Sequence, residues 1–374
     1  MASASGRLVE NIGKTIKKVV ENKGSSWWYT PHMAAASRAI ANRIPLVDIV
    51  VQVRDARIPF SSALKELSVS NSSKHIIVLN KMDLANRSQT KKWTRYLEEQ
   101  SHVCCEVNSH NKDSIKGFLN LLQSEVRELK KNGQSSHTTT VMLVGIPNSG
   151  KSALANSLHQ IGRISAEEKG RLKHTAVSPN PGETKEISSL KIASHPNIFV
   201  LDTPGVLPPD IIDDEVCSKL ALTGAIADCL VGELKLAQYF LAILSTSDEY
   251  KKWIKFPSIK TKILTGDQPG KCSTVSEVKM GPKKQVPDHT QDSIVNNVRR
   301  MLFETVSSFS EDLENEANFA ELCKLHLMGL HRAFQVVPGI GEDADYIVGK
   351  KLLNLYRTGR LGHYTLDQLP SDVN

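Results

Sequence analysis

Long apolar runs are missing from this sequence. None approaches the roughly 20 residues that a transmembrane helix requires, and no stable membrane span is expected. The six cysteines include no CxxC pair, which excludes the commonest spacings of zinc and redox motifs. Cys104 and Cys105 stand side by side in an apolar run where their faces alternate, and read as reduced, structural thiols of an intracellular compartment. There is no internal repeat and no low-complexity tract, so solenoids and disordered arrays are excluded. Neither sign of charge dominates: 47 Lys and Arg against 40 Asp and Glu leave +7 at pH 7. That balance is compatible with a nucleic-acid partner and does not demand one. What remains is a globular chain of 374 residues, 40% hydrophobic, long enough for two domains with cores of ordinary size.

Three short motifs stand out, and their order matters. Asn80-Lys81-Met82-Asp83 has the pattern of a guanine-recognition motif, Gly145-Ile146-Pro147-Asn148-Ser149-Gly150-Lys151-Ser152 that of a phosphate loop, and Asp202-Thr203-Pro204-Gly205 that of a second switch. An ordinary GTPase carries the phosphate loop first, the switch second and the guanine motif last. Here the guanine motif leads, which makes the arrangement circularly permuted. A phosphate loop needs glycines because backbone N–H groups wrap the phosphates closely, and Pro147, Asn148, Ser149, Gly150 and Ala153 complete that wrap. Lys151 reaches the β- and γ-phosphates, and Ser152 offers its hydroxyl oxygen to Mg²⁺. Asp202, after an apolar strand, suits a carboxylate that holds Mg²⁺ through water, and Gly205 can set its N–H against the γ-phosphate. The Asp83 carboxylate can accept from guanine N1–H and the 2-amino group, a pair adenine lacks, so the expected ligands are GTP and GDP. The Lys81 stem can lie over the base, and Asn80 can tie this loop to the phosphate loop. Asn108 and Ser109, after the next strand, fall where the remaining base-contacting loop belongs. Thr184, between phosphate loop and second switch, either completes the Mg²⁺ shell once its loop closes or is an ordinary polar loop residue.

One expected side chain is missing. Hydrolysis needs a group that positions the attacking water, and small GTPases place a Gln just after the switch glycine. Val206 stands there instead. The candidate substitute is His32, in Trp27-Trp28-Tyr29-Thr30-Pro31-His32-Met33, because in a permuted domain this segment leads into the first strand and can lie near the second switch. The other reading of a lone loop histidine is structural.

Periodicity supplies the scaffold. Leu46–Val53, Lys74–Leu79, Val103–Val107, Val141–Val144 and Ile198–Leu201 read as strands; Arg87–Gln100, Asp113–Lys131 and Ser152–Ile161 as helices; Asn132–Thr139 as a polar linker. The alternation predicts an α/β fold, a parallel sheet with helices on both faces. After Pro208-Pro209 the strand signal stops. Helical patterns fill Asp213–Leu244, Asp292–Phe309, Asp312–Phe334 and Asp343–Thr358, interrupted by Lys251–Lys284 with nine lysines against Asp267 and Glu277. The expected organisation is an N-terminal extension (1–27), a circularly permuted GTPase domain (28–209) and a smaller, mostly helical C-terminal domain (210–374) with a basic insertion near 251–290. In the extension, Leu8, Ile12, Ile16, Val19 and Val20 share a helical face, and Arg7, Lys14, Lys17, Lys18 and Lys23 add positive charge. A mitochondrial import helix and an ordinary amphipathic helix both fit; Glu10 and Glu21 are unusual for the former.

Together these residues resemble the circularly permuted ribosome-assembly GTPases, the family of bacterial ribosome biogenesis GTPase A and the mitochondrial ribosome-associated or DAR GTPases, and look most like plant-type mitochondrial members. Asp55-Ala56-Arg57-Ile58-Pro59 is the hallmark. The resemblance runs from Trp28 to Val206, includes Thr223-Gly224-Ala225-Ile226 and returns at Tyr356–Gly362. It implies hydrolysis of GTP to GDP and phosphate with Mg²⁺, in assembly of the large ribosomal subunit in the mitochondrial matrix, with cytosol or chloroplast as alternative addresses. It also implies K⁺ activation through Asn148, a hydrolytic role for His32, and a helical C-terminal domain on ribosomal RNA, in a protein expected to be monomeric. Relatives carry Pro-Gly before that histidine, where this chain has Thr30-Pro31. A rival from another class stays open: a GTP-dependent rRNA-binding scaffold with little turnover. Asp55 and Arg57 read either as functional or as a structural ion pair at a strand end.

Overall fold

The computed structural model describes residues 4–22, 24, 28–64, 73–133, 138–165, 186–208, 213–255, 288–336 and 343–370. Thr184 and most of the basic stretch, 256–284, lie outside the described residues.

Six strands form one sheet: β1 (Ile49–Asp55), β2 (Lys74–Asn80), β3 (Val103–Val107), β4 (Thr138–Val144), β5 (Ser188–Ser194) and β6 (Asn197–Asp202). Their order is β3-β2-β1-β4-β6-β5, and every neighbouring pair is parallel except β5 with β6. Val50, Val51, Ile76, Ile77, Met142 and Leu143 are fully buried, adjacent residues on opposite faces, as a parallel sheet covered on both sides requires. On one face, α4 (Lys112–Lys131) and α5 (Lys151–Ser165) set Ile115, Leu122, Leu154 and Leu158 against Val51, Val53 and Leu143. On the other, α2 (Pro31–Arg43) packs Ala36 and Ile40 with Val50, Met142 and Val144, and α3 (Arg87–Glu99) packs Trp93 and Leu97 with Ile77 and Leu79.

The register decides where a ligand sits. Asp55 lies opposite Asn80 and Asn80 opposite Val107, while Gln52 lies opposite Val144 and Leu143 opposite Asp202. The carboxyl ends of five strands therefore finish along one edge. From β1 the chain builds outward to β2 and β3; from β4 it builds the other way. The β1/β4 boundary is thus a topological switch point, where a crevice opens for ligands.

Two elements differ from expectation. β4 starts at Thr138, inside the predicted linker, and β5 was unforeseen. Its serines dilute the apolar signal, and a register shift between Lys191 and Ala193 breaks the alternation.

The remaining helices are α1 (Ala4–Asn22), α6 (Asp214–Leu222), α7 (Asp228–Val231), α8 (Glu233–Thr246), α9 (Asp292–Ser308), α10 (Glu316–Ala333) and α11 (Asp343–Arg357). They share a core containing Leu236, Phe240, Leu302, Leu322 and Leu352, and Leu8, Ile16 and Val20 of α1 belong to it. The Ser218 hydroxyl donates to the Gly13 carbonyl at 3.3 Å, and Lys17 lies 3.0 Å from Asp214. The amphipathic face read near the start of the sequence is therefore packed on α6 and α8. Burying each such side chain contributes about 1.5–3 kcal/mol. Among the described residues no helix is long and apolar enough to cross a membrane. No disulfide forms among the described residues, and burial pushes the thiols of Cys104 and Cys105 up to about 12.

Candidate active site

Asn80 joins three loops. Its Nδ2 donates to the Ser149 carbonyl of the phosphate loop at 2.9 Å, and its Oδ1 accepts from the Ser109 hydroxyl at 2.8 Å. The Ser109 carbonyl accepts in turn from Ser157 Oγ on α5 at 2.7 Å. Asn80 is 1% exposed, so breaking either bond would strand a buried polar group. Lys81 follows with a φ of 60°, uncommon for such a residue. Its ammonium donates to the Asn148 carbonyl and lies 3.2 Å from Asp55. The Met82 N–H donates to the Val107 carbonyl at 3.3 Å, and Asp83 stands exposed at the mouth. Asn108 is half-buried, and its Oδ1 accepts from the His110 N–H at 2.8 Å, which stiffens that turn.

The phosphate loop is built from close approaches. Gly150, at φ 93°, lies so near the Asn80 amide that a Cβ there would overlap it. A Cβ on Gly205 would fall 2.5 Å from Pro147 Cα, so the second switch packs directly on the phosphate loop. The Val206 N–H donates to the Gly145 carbonyl at 3.2 Å, and Asn148 has a φ of 57°. Helix α5 begins at Lys151, which puts Ser152 and Ala153 in its first turn, where N–H groups and helix dipole favour an anion. Lys151 is 5% exposed and donates to the carbonyls of Gly145 at 3.1 Å and Ile146 at 2.8 Å. Burial pushes its ammonium down to about 8, against the opposing pull of the fully buried Asp202. The buried Ser149 hydroxyl has no hydrogen-bond partner among the described residues. A buried cation, a helix N-terminus, hydroxyl and carboxylate oxygens and a cradle too tight for side chains fit a polyphosphate with a hard divalent cation.

His32 is the second residue of α2 and is exposed. Thr30 caps this helix by accepting from the Met33 N–H at 3.3 Å, and Pro31 opens its first turn, a position that suits proline. The Thr-Pro departure from the family pattern is thus a helix start. Ala36, one turn beyond His32, packs in one cluster with Val206. Trp28, Tyr29 and Met33 share a cluster with Ile146 of the phosphate loop and Leu207. The structure so brings the His32 segment to the second switch. Val206, 6% exposed, faces the core.

Sequence reasoning missed the C-terminal side of the site. The Asn148 amide donates to the Gly224 carbonyl at 2.7 Å. Arg357 of α11 holds that turn, with two 2.7 Å bonds to the Asp228 carboxylate and bonds of 3.0 Å to the carbonyls of Leu222 and Ala221. Further on, the Leu366 N–H donates to the Arg57 carbonyl at 2.7 Å. Asp367 accepts from the N–H groups of Phe60 and Ser61 at 2.8 Å and the Ser61 hydroxyl at 2.7 Å. The Tyr356–Gly362 motif pointed towards this contact; Asp367 carried no signal of its own.

Comparison with known proteins bears on the same residues. The family model described as a 50S ribosome-binding GTPase matches residues 140–252. That span holds the phosphate loop and second switch, with the guanine motif lying upstream of it. "DAR GTPase 2, mitochondrial" of Arabidopsis thaliana is 54% identical over 372 residues, covering 99% of this chain and 97% of the relative. "Short integuments 2, mitochondrial" of the same plant is 40% identical over 376 residues, covering 97% and 96%. "Ribosome biogenesis GTPase A" of Bacillus cereus is 28% identical over 308 residues, covering 79% and 99%. Among solved structures, the GDP-bound form of "TM YlqF" aligns with 90% of this chain and all of its own at 19% identity and a TM-score of 0.46. With its motifs permuted, its guanine and phosphate loops bracketed by Asn80, and its likeness to a DAR GTPase spanning nearly every residue, the chain belongs to the mitochondrial DAR GTPases, circularly permuted enzymes that bind and hydrolyse GTP.

Proposed function

We propose that this GTPase times a step in assembly of the large ribosomal subunit in the mitochondrial matrix, acting as a monomer on ribosomal RNA through its helical part. The observation that carries the reading is the Asn80 bracket, which makes one site of loops that the sequence holds 69 residues apart. Asp83 selects guanine, Lys81 lies across the base, and Asn108 and Ser109 close its other side. The N–H groups from Pro147 to Ala153 wrap the phosphates, with Lys151 on their charge and Gly205 beside the γ-phosphate. Ser152, Thr184 and Asp202 would hold Mg²⁺, which supplies positive charge against the transferring phosphoryl group. Asn148 would take K⁺; supporting this, its amide is fixed by Gly224. His32 positions the attacking water when the ribosome brings the start of α2 to the γ-phosphate. Val206 faces the core and cannot do so, which favours slow intrinsic turnover over the fast turnover of a self-sufficient GTPase. The names of relatives, "Mitochondrial ribosome-associated GTPase 1" of Mus musculus among them, and the net charge of +7 support the ribosomal partner.

The test is co-sedimentation with mitochondrial ribosomal subunits. The protein should pellet with large subunits in the presence of a non-hydrolysable GTP analogue and much less with GDP. Equal pelleting in both states, or pelleting with small subunits alone, would rule the reading out.

A further inference from the structure

Asp55 ends β1 at the switch point of the sheet and is 2% exposed. Two residues on, Arg57 grips it: Oδ1 accepts from the Arg57 N–H and Nε at 3.0 Å each, and Oδ2 from Nη2 at 2.7 Å. Were this all, the pair would be a strand-end ion pair, satisfied within its own turn. However, the same Oδ2 lies 3.2 Å from the Lys81 ammonium. One buried carboxylate therefore serves two cations. Burial alone would push its carboxyl up; the charges of Arg57 and Lys81 overcome that and hold it well below the usual carboxylate range.

The other partner of the Lys81 ammonium is the carbonyl of Asn148 in the phosphate loop. The tip of this lysine is thus pinned between the end of β1 and the phosphate loop, while its backbone is held at a φ of 60°. A left-handed lysine persists only where its surroundings over-determine it. Without the Asp55 charge the ammonium would keep one neutral acceptor and the long stem would regain rotamer freedom.

We propose that Asp55 is a positioning residue of the guanine-nucleotide site, one that stretches Lys81 across the base position. The proposal rests on the reading of residues 80–83 as the guanine motif. It also gives Arg57 a second task. The Arg57 guanidinium lies over the Tyr356 ring, 5.7 Å from its centroid, and its carbonyl accepts from Leu366. The far end of the helical domain so reaches Lys81 through two residues.

A double-mutant cycle on GDP affinity, read by equilibrium fluorescence of a labelled GDP, tests this. Asp55→Asn keeps the shape and removes the charge. It should weaken GDP by about tenfold or more, a difference of about 1.4 kcal/mol, in the wild-type background. In a Lys81→Met background it should change GDP affinity less than about twofold, because the group it positions is gone; that residue would sit at about 0.4 kcal/mol. A purely structural Asp55 would instead lower affinity equally in both backgrounds, and that result overturns the proposal, as does unchanged affinity in Asp55→Asn. Removing one partner of a buried pair is strongly destabilising, whereas replacing both is often neutral. If Asp55→Asn fails to fold, the paired change Asp55→Asn with Arg57→Leu puts the same question. Failure of the underlying reading looks different: Lys81→Met alone would then leave GDP affinity unchanged.

Discussion

The two halves of the sheet, which the proposed function assigns to base and phosphates, are built in different ways. The guanine half, at the ends of β1–β3, is a web of side chains: Asn80 with Ser109, and Lys81 and Arg57 on Asp55, are joined by hydrogen bonds and ion pairs, and the C-terminal tail fastens the web from outside. The phosphate half, at the ends of β4 and β6, is mostly backbone. Gly150 and Gly205 bring main chains into contact, and Lys151 rests on two carbonyls of its own loop. One half is pre-assembled and rigid, which suits reading a flat base by directional hydrogen bonds. The other keeps a desolvated cation that gains its best partners only from phosphates. The proposed site thus places side-chain-built recognition and a desolvated cation on opposite sides of a single strand boundary.

Removing the charge from the responsive half should have the largest effect. Lys151→Ala loses charged hydrogen bonds of about 1.5–3 kcal/mol each; with two phosphates involved, GDP and GTP should bind about 10²–10⁴-fold more weakly. Calorimetry reads this directly, and near-wild-type affinity would show that the two halves do not divide the work as described. Next comes His32→Ala. Subunit-stimulated turnover should fall about 10²–10⁴-fold with GTP affinity intact; a change within about twofold, too small for that range, would make His32 structural.

A smaller effect follows from pH. Burial pushes the Lys151 ammonium down to about 8, below its unfolded value of about 10.4. Folding thus disfavours its charged form, and its contribution to stability rises as pH climbs from about 8 to that value. Phosphate binding demands the charge back, so above pH about 8 nucleotide binding should take up a proton and weaken by up to about tenfold per pH unit. In the guanine half Asp55 stays ionised throughout, although burial lowers the Lys81 ammonium as well. Affinity flat from pH 7 to 9.5 would remove this contrast. The smallest effect on nucleotide chemistry belongs to Val206→Gln. The position faces the core, so an amide there should cost about 1–3 kcal/mol of thermal stability and leave hydrolysis no faster.

These halves were unequally legible in the sequence. The motifs of both were plain, because phosphate loops and guanine motifs need fixed residue types at fixed spacing. The permutation followed from their order alone. The strands feeding them were readable from apolar runs, whereas β5, with Ser188, Ser189 and Ser194 and a broken alternation, was not. The amphipathic face of α1 was visible, but its partner lies some two hundred residues away on α6 and α8, and spacing says nothing about such contacts. Asp55 and Arg57 were noticed without a purpose for the same reason. Their meaning lies in Lys81, Tyr356 and Leu366, which only the folded chain brings near.

In the proposed function both halves form one guanine-nucleotide site despite their reversed order. Asp83→Asn tests it most directly. An amide can donate to the 2-carbonyl of xanthine and accept from its N1–H, whereas it meets the guanine 2-amino group with a mismatched polar pair costing about 1–3 kcal/mol. The measurement is hydrolysis of xanthosine triphosphate and of GTP by Asp83→Asn, with large subunits present. Xanthosine triphosphate should become the preferred substrate, at saturating turnover near that of the wild type on GTP, and adding Lys151→Ala should abolish it. Unchanged preference for GTP would show that Asp83 does not read the base and that the two halves are not one guanine-nucleotide site.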